Sequence, residues 1–288
     1  MLKKKISQVI SAKTKLKIKS QIKKIKTGVA SSLLSYDGAM LVNSLKKIGI
    51  RENDTVLVHA NFKPDSGFQG DPSDAVNVLK SFLGNKGNLL MVSIPFRGAG
   101  FDYLKKNKPF RLKKTMSMMG LITEMFRRSE GVKRSLHPTH PVLVYGKDSS
   151  MLTADHEKCI YPCGAGSPFD KFRQLKGKIL FYDVSCQAIT FFHYVEDLIK
   201  DKIPVPVYGE ELFNVKCIDE NDHEIEVTTY TFNKDLIRNS SKLEEEMESR
   251  GLIKRGRVGN SDLILLKAED VVTCMTEMVE RGNYPYKL

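Results

Sequence analysis

A histidine and a glutamate stand where an apolar helical stripe would be expected. Ile189, Phe192, His193 and Glu196 recur at the i, i+3, i+4, i+7 spacing of one helix face. At a separation of three residues the imidazole and the carboxylate can touch. The carboxylate then orients the ring and favours its charged form, as in a general base that takes a proton from an attacking nucleophile. A satisfied core His–Glu pair without chemistry is the other interpretation, and the spacing alone favours it slightly.

The other residues that could do chemistry have weaker patterns. Two groups lack a second ligand pair at zinc-site spacing, so no metal site is predicted: His137 with His140, and His156 with Cys159 and Cys163. The glycine-containing segments 98–100 and 164–166 do not match a phosphate loop or a dinucleotide fingerprint. Cys186 lies at a strand-to-helix turn near His193 and could act as a nucleophile, although small residues at such turns are usually structural.

Strand-like and helix-like segments alternate along most of the chain. Strands are predicted over 55–60, 88–94, 141–145, 178–184, 213–218, 224–230 and 262–266. Helices are predicted from Asp71-Pro72, over 117–128, from Ser167-Pro168, and over 187–200, 243–250 and 269–281, with a long loop over 97–114. This order predicts an α/β protein, a three-layer α/β/α fold with a central mixed sheet and an antiparallel C-terminal addition. Because no linker divides it, residues 31–288 are predicted to form a single domain behind a basic extension over 1–30.

Charge divides the chain into two unequal parts. Its net charge is +12, from 46 basic and 34 acidic side chains. Residues 1–30 hold ten lysines and no acid, which leaves residues 31–288 with 36 basic and 34 acidic side chains, a net of +2. The nearly neutral body argues against nucleic-acid binding. In the extension, Ile18, Ile22, Ile25 and Val29 predict either a basic amphipathic helix on an anionic membrane surface or a solvated segment.

Cysteine usage and the distribution of lysine predict the compartment. No stretch approaches the roughly 20 apolar residues of a membrane span, and lysines interrupt any apolar signal segment at the N-terminus. Five scattered cysteines argue against a disulfide framework. The expected location is the reducing cytoplasm, with peripheral contact of the extension at the inner face of the plasma membrane as a further hypothesis. A homodimer is expected on base rates alone.

An ordered series of short motifs resembles the aminoglycoside 3-N-acetyltransferase (antibiotic N-acetyltransferase) family from about residue 40 to residue 280. In chain order the motifs are Asp54-Thr55-Val56-Leu57-Val58-His59, Gly87-Asn88-Leu89-Leu90-Met91, Met119-Gly120 with Glu124-Met125-Phe126-Arg127, Arg134-Ser135-Leu136-His137-Pro138, His156 with Gly166-Ser167-Pro168, Thr190-Phe191-Phe192-His193-Tyr194-Val195-Glu196, and Gly259-Asn260-Ser261. One of them contains the His193–Glu196 pair found independently from periodicity.

The resemblance implies transfer of a short acyl group from acyl-coenzyme A to the amine of an amino sugar. It implies that His193 is the general base and that Glu196 orients it, with Glu124 as the other candidate for that supporting role. Thr190 would position the nucleophile or the thioester. Direct transfer of this kind needs neither a metal nor a covalent intermediate when both substrates are held in line.

Six residues bordering the cleft that the resemblance implies are the candidates for coenzyme A binding: Asn61, Phe62, Ser117, Met118, Ser135 and His137. The chain departs from the family pattern in three places. Ala60-Asn61-Phe62 stands where the family usually has Ser-Ser-Leu, Ser93-Ile94-Pro95-Phe96 shifts the usual Pro-Thr-Phe, and Pro141 replaces a polar residue. These departures predict a different acceptor or acyl group.

Charge in the predicted cleft loops favours a particular kind of acceptor. Loops 61–70 and 96–115 carry mostly basic side chains: Lys63, Arg97, Lys105, Lys106, Lys108, Arg111, Lys113 and Lys114 against Asp65 and Asp102. That balance repels polycations and suits an anion, so the hypothesis is a nucleotide-linked amino sugar used in surface-polysaccharide biosynthesis. Two alternatives stay open: an aminoglycoside 3-N-acetyltransferase, as in antibiotic resistance, and a catalytically inactive scaffold member of the fold.

Overall fold

A computed structural model describes residues 34–63 and 65–287, together with the isolated positions 14 and 21. The pattern of Ile18, Ile22, Ile25 and Val29 lies outside the described residues, as does nearly all of the basic extension. No helix within the described part of the chain is long and apolar enough to cross a membrane.

The described chain alternates helices and strands. The helices are α1 (Gly38–Ile48), α2 (Pro72–Leu83), α3 (Gly100–Leu104), α4 (Leu121–Arg128), α5 (Ser149–Thr153), α6 (Pro168–Gln174), α7 (Phe192–Leu198), α8 (Ser240–Ser249) and α9 (Ala268–Glu280). The strands are β1 (Thr55–Ala60), β2 (Asn88–Val92), β3 (Phe110–Arg111), β4 (Lys133–Arg134), β5 (Val142–Gly146), β6 (Lys178–Tyr182), β7 (Tyr208–Ile218), β8 (Glu224–Phe232), β9 (Ile237–Arg238), β10 (Lys254–Val258), β11 (Ser261–Lys267) and β12 (Tyr286–Lys287). Short 3-10 turns cover His156–Lys158, Cys186–Ala188 and Lys200–Lys202.

Seven strands form a central mixed sheet in the order β10-β11-β6-β1-β2-β5-β4. The three middle strands β6, β1 and β2 are parallel, and the outer pairings are antiparallel. Alternate strand residues face opposite sides: Val56 packs in the cluster under α1, α2 and α4, and Leu57 in the cluster under α6, α7, α8 and α9. The predicted three-layer α/β/α fold is therefore confirmed.

Local sequence signals explain several helix starts. Asp71 caps α2 by accepting hydrogen bonds from the Ser73 and Asp74 backbone, and Pro72 supplies the first helical residue. Ser167 caps α6 in the same way by accepting from the backbone N–H of Asp170. Both starts agree with prediction.

Three segments differ from prediction. The loop expected over 97–114 contains α3 and β3. The helix expected from residue 117 begins at Leu121, because Gly120 has a φ of 114°, outside the helical range. The helix expected over 187–200 is broken, since Ile189 is extended (φ −65°, ψ 97°) between a 3-10 turn and α7. Ile189 therefore does not continue the helical stripe of His193 and Glu196.

A smaller sheet, β3-β7-β8, contains the predicted antiparallel hairpin. Its strands are longer than predicted, because β7 begins at Tyr208 and β8 ends at Phe232, and these two residues pair with each other across a register shift. The added length matters for the site, since Phe232 reaches the imidazole of His193.

Candidate active site

His193 and Glu196 are hydrogen-bonded to each other within α7. The Nδ1–H of His193 donates to Oε2 of Glu196 over 2.6 Å. The imidazole side chain is 23% exposed, whereas the carboxylate is 0% exposed. Because Nδ1 carries the proton, the lone pair of the neutral ring lies on Nε2, which is the atom left to accept a proton. The contact expected from the spacing is present, and the catalytic role of the pair stays a prediction.

Arg238 binds the buried carboxylate from the other side. Its Nε lies 2.9 Å from Oε1 and 2.9 Å from Oε2 of Glu196. Burial disfavours a charged carboxylate here, but the hydrogen bonds from His193 and Arg238 outweigh it, so the pKa of Glu196 is lowered from its usual value. Glu196 is consequently an ionised acceptor with a fixed orientation.

A cavity of about 430 Å³ opens beside the pair. Its lining consists of Ile94, Phe96, Gly98, Ala99, Gly100, Met119, Thr139, His140, His193, Thr231, Phe232, Asn233, Lys234 and Arg238. The ring of Phe232 stacks on His193, with centroids 4.2 Å apart, and fixes the plane of the imidazole. No cysteine or serine lines the cavity, so it contains a base without an adjacent thiol or primary hydroxyl.

His140 is a cavity residue that sequence reasoning missed. Its spacing from His137 suggests only a metal ligand. In the structure, however, the centroid of its ring lies 5.9 Å from that of His193, and the ring is edge-on to Phe232. Burial, with repulsion from His193, His156 and Arg238, lowers the pKa of His140 well below its usual value, so the ring is neutral. The one signal in the sequence was its position three residues after His137, within the loop of the family motif.

Glu124 is occupied elsewhere and does not support His193. It accepts hydrogen bonds from Arg127 at 2.6 and 2.8 Å, from Arg128 at 2.9 Å and from the Ser117 backbone at 3.0 Å. The bond from Arg127 is the main cause that lowers the pKa of Glu124 to about 2. The structure therefore assigns the supporting position to Glu196.

Two of the residues predicted to bind coenzyme A are buried, and their contact with the cofactor stays a prediction. Ser135 and His137 are both 0% exposed. The hydroxyl of Ser135 lies 2.7 Å from Nδ1 of His156 and accepts from the backbone of Val142, while Nδ1 of His137 accepts from the backbone of Thr139. These hydrogen bonds show that both side chains hold the turn between β4 and β5.

The remaining predicted residues do not line the cavity. Asn61 is exposed at the end of β1, and Phe62 packs edge-on against Phe68. Ser117 is buried and accepts a hydrogen bond from the backbone of Met119, which is the residue of that loop that lines the cavity. Their contact with coenzyme A stays a prediction, as does that of Met118, which is 39% exposed.

Thr190 positions His193 through its backbone. Its carbonyl accepts the backbone N–H of His193 over 3.0 Å. The side chain is buried and is not among the cavity residues. A direct role of its hydroxyl in orienting a substrate stays a prediction.

The basic loop residues that suggested an anionic acceptor do not line the cavity. None of the eight basic residues of loops 61–70 and 96–115 lines the cavity. Lys63 pairs with Asp183 at 2.8 Å and Lys105 with Glu211 at 2.7 Å. An adjoining cavity of about 400 Å³, which shares Thr231, Phe232, Asn233 and Lys234 with the first, is lined by the carboxylates Glu210, Glu211 and Asp235.

The described residues contain neither a reactive thiolate at Cys186 nor a cluster of metal-ligating side chains. Burial is the main cause that raises the pKa of the Cys186 thiol to about 12, so it is not a thiolate at neutral pH. Within residues 34–63 and 65–287, no three His, Cys, Asp or Glu side chains are grouped as metal ligands.

A His–Glu pair on the wall of an open cavity, without a neighbouring thiol or primary hydroxyl, suits direct transfer of a group to a nucleophile of the substrate. A sequence model of aminoglycoside 3-N-acetyltransferase matches residues 57–280. The chain belongs to the aminoglycoside 3-N-acetyltransferase family. The predicted class, an acyl-coenzyme A-dependent N-acyltransferase, is confirmed by this membership.

Individual relatives agree with the family assignment. Aminoglycoside N(3)-acetyltransferase III of Pseudomonas aeruginosa is 24% identical over 265 residues, covering 86% of this chain and 94% of its own. The structure of AAC(3)-IVa in complex with gentamicin superposes with a TM-score of 0.71 at 21% identity, covering 86% of this chain and 89% of that one. The binary complex of AAC-IIIb with CoASH has a TM-score of 0.72 at 18% identity, covering 88% and 99%. The structures establish a shared fold.

Proposed function

We propose that this protein transfers an acetyl group from acetyl-coenzyme A to an amino group of an amino sugar, with His193 as general base. The observation that supports this most is the Glu196–His193 hydrogen bond at the wall of the 430 Å³ cavity. The base takes a proton from the attacking nitrogen as the N–C bond forms. The C–S bond of the thioester then breaks, and the proton passes to the departing thiolate.

The acceptor that the surroundings favour is a cationic amino sugar of the aminoglycoside type. The carboxylates of Glu210, Glu211 and Asp235 line the cavity that adjoins the one containing His193. An acceptor with several amines could place one of them at His193 and others near these carboxylates. The relatives' names point to the same class of acceptor, so the earlier alternative becomes the main proposal.

A nucleotide-linked amino sugar remains the second candidate. Lys234 and Arg238 are the basic side chains that line the cavity of His193, and no carboxylate lines it. Since Glu196 already binds Arg238, Lys234 is the cation in this lining with no carboxylate bonded to it. A phosphate beside the reacting sugar would find its charge partner there.

The test is the release of thiol from acetyl-coenzyme A with two panels of amines. One panel contains kanamycin- and gentamicin-type aminoglycosides, and the other contains nucleotide-linked amino sugars. His193→Ala should lower the rate by about 10²–10⁴-fold, the usual contribution of a general base. His223→Ala is the matched control, because His223 also faces a carboxylate, Asp219 at 3.3 Å, but is exposed.

The outcomes separate the candidates. Faster turnover of aminoglycosides supports the main proposal, and faster turnover of nucleotide sugars supports the second. No thiol release with any amine, together with no binding of coenzyme A, would leave the inactive scaffold. We further propose that residues 31–288 form a single domain, that the extension contacts the membrane surface, and that the protein is a homodimer.

A further inference from the structure

Arg238 lies on the short strand β9, whose backbone pairs with the C-terminal strand β12. In the antiparallel pair of β9 and β12, Arg238 is opposite Tyr286, and Ile237 is opposite Lys287. The next residue, Asn239, donates its backbone N–H to the carbonyl of Pro285 over 2.8 Å. The position of Arg238 is therefore set by residues far from α7 in sequence.

All three nitrogens of the Arg238 guanidinium donate hydrogen bonds. One terminal nitrogen donates to the carbonyls of Asn233 and Leu236 at 3.2 and 3.3 Å, and the other to that of Val207 at 3.4 Å. Together with the two bonds from Nε to Glu196, these contacts use the planar fork of donors that a lysine lacks. Arg238 is a fixed cation bonded to the carboxylate that orients the base.

Two cations compete for one buried carboxylate when His193 is protonated. The positive charge of Arg238 offsets the negative charge of Glu196. It also repels an imidazolium at His193, which would bind the other side of the same carboxylate. Arg238 therefore weakens the hold of Glu196 on a proton at His193. At the same time it keeps Glu196 ionised and aligned, which preserves the orientation of the ring.

Apart from Lys234, the other titratable groups that face the pair are neutral or bonded elsewhere. Burial lowers the pKa of His140 and raises the pKa values of Tyr286, Tyr208 and Cys163, each of which lies near His193 or Glu196. Of the charged groups nearby, Asp197 accepts from the hydroxyl of Tyr208 and pairs with Lys200 at 3.4 Å, and Lys234 lies in the cavity lining. Arg238 is thus the cation bonded directly to the pair.

We propose that Arg238 is a positioning residue that holds Glu196 aligned with His193 and whose charge opposes the uptake of a proton by the pair. Its consequence for catalysis rests on the proposed function, whereas its effect on the titration of His193 does not.

The experiment is an NMR titration of the His193 ring in the full chain carrying ¹³C- and ¹⁵N-labelled histidine, with the pH profile of kcat/KM measured beside it. In Arg238→Gln, the titration midpoint of His193 should rise by about one to two pH units, as expected for loss of a cation bonded to the same carboxylate. The acid limb of the kcat/KM profile should move to higher pH with it. Arg238→Lys keeps the charge but not the fork, so a smaller rise in the same direction is expected.

Arg250→Gln is the matched control. Arg250 binds Glu246 through two nitrogens at 2.9 and 2.6 Å and also binds Glu277, and neither carboxylate contacts the site. Its removal should leave the His193 titration unchanged. If Arg238→Gln does not fold, Arg238→Lys decides the question alone.

An unchanged or lowered midpoint in the folded Arg238 variants overturns the proposal, whatever the activity. A raised midpoint in an enzyme that acetylates no amine supports the role of Arg238 and overturns the proposed function instead. Circular dichroism of each variant shows which of them are folded.

Discussion

Two buried glutamates, Glu124 and Glu196, are each held by an arginine, yet only one of them is placed to assist a base. Glu124 is bonded to Arg127, Arg128 and a backbone N–H, all of which are permanent donors. Glu196 is bonded to one arginine and to an imidazole that faces the cavity. The difference teaches that a buried Arg–Glu pair can assist proton transfer only when its carboxylate also binds a group that exchanges protons with the cavity.

The largest expected difference is in activity, between the variant in which Glu196 is replaced by glutamine and the one in which Glu124 is. Glu196→Gln removes the charge that orients and stabilises a protonated His193, so kcat/KM for thiol release should fall about 100-fold or more. Glu124→Gln, measured per folded molecule, should stay within about threefold of the parent. Equal losses in both variants would show that Glu124 also serves the reaction.

Stability should respond to Glu124 in a way that depends on pH. Its pKa is lowered to about 2 in the folded chain from an ordinary 4.5, so its contribution is complete above about pH 4.5 and is lost as pH falls towards 2. Urea unfolding of Glu124→Gln should show a loss of about 3 kcal/mol at pH 7, because Arg127 is left without its carboxylate. The gap between the two proteins should narrow between pH 4.5 and pH 2, and a constant gap would contradict this assignment.

The stack of Phe232 on His193 should have a smaller effect. Phe232→Leu removes one ring of an aromatic pair worth about 0.5–1.5 kcal/mol, so kcat should fall roughly 3–10-fold if the stack holds the base in its productive plane. Phe213→Leu is the control, since Phe213 lies in the same small sheet and contacts Phe101 edge-on. Steady-state kinetics and thermal melts of both variants distinguish lost orientation of the His193 ring from lost packing. The control, Phe213→Leu, should lose stability and keep kcat.

The least effect is expected at Ser117. Its side-chain oxygen accepts one weak hydrogen bond from Met119 at 3.3 Å, and its backbone N–H serves Glu124. Ser117→Ala should therefore change the KM for acetyl-coenzyme A by less than about twofold. A tenfold rise in that KM would place the Ser117 hydroxyl in the cofactor site after all and would link the region of Glu124 to the reaction.

Much of the fold was predictable because its elements carry local signals. The capped starts of α2 and α6 and the apolar strands β1, β2 and β6 follow from single residue types at fixed positions. Helix α1 was missed although Asp37 caps it and Gly49 ends it in the left-handed conformation. The break at Ile189 was unpredictable, because no glycine or proline in that segment marks it.

The candidate site was predictable only where it is local in sequence. His193 and Glu196 are three residues apart, so periodicity alone could propose their contact. Arg238, Phe232 and His140 reach the same cavity from a short strand, a hairpin end and a loop, and only the tertiary fold brings them together. The burial of Ser135 and His137 could not be predicted for the opposite reason, since a polar residue in a local loop motif can equally support a turn from inside the protein.

The pairing of β9 with β12 also sets when the site is assembled during protein synthesis. The ribosome releases the chain from its N-terminus, so α7 and Arg238 emerge well before Tyr286. Until β12 follows, the strand that holds Arg238 has no partner, and the carboxylate behind His193 lacks its fixed cation. A growing chain therefore carries His193, Glu196 and Arg238 for some time before β12 can order the contact among them.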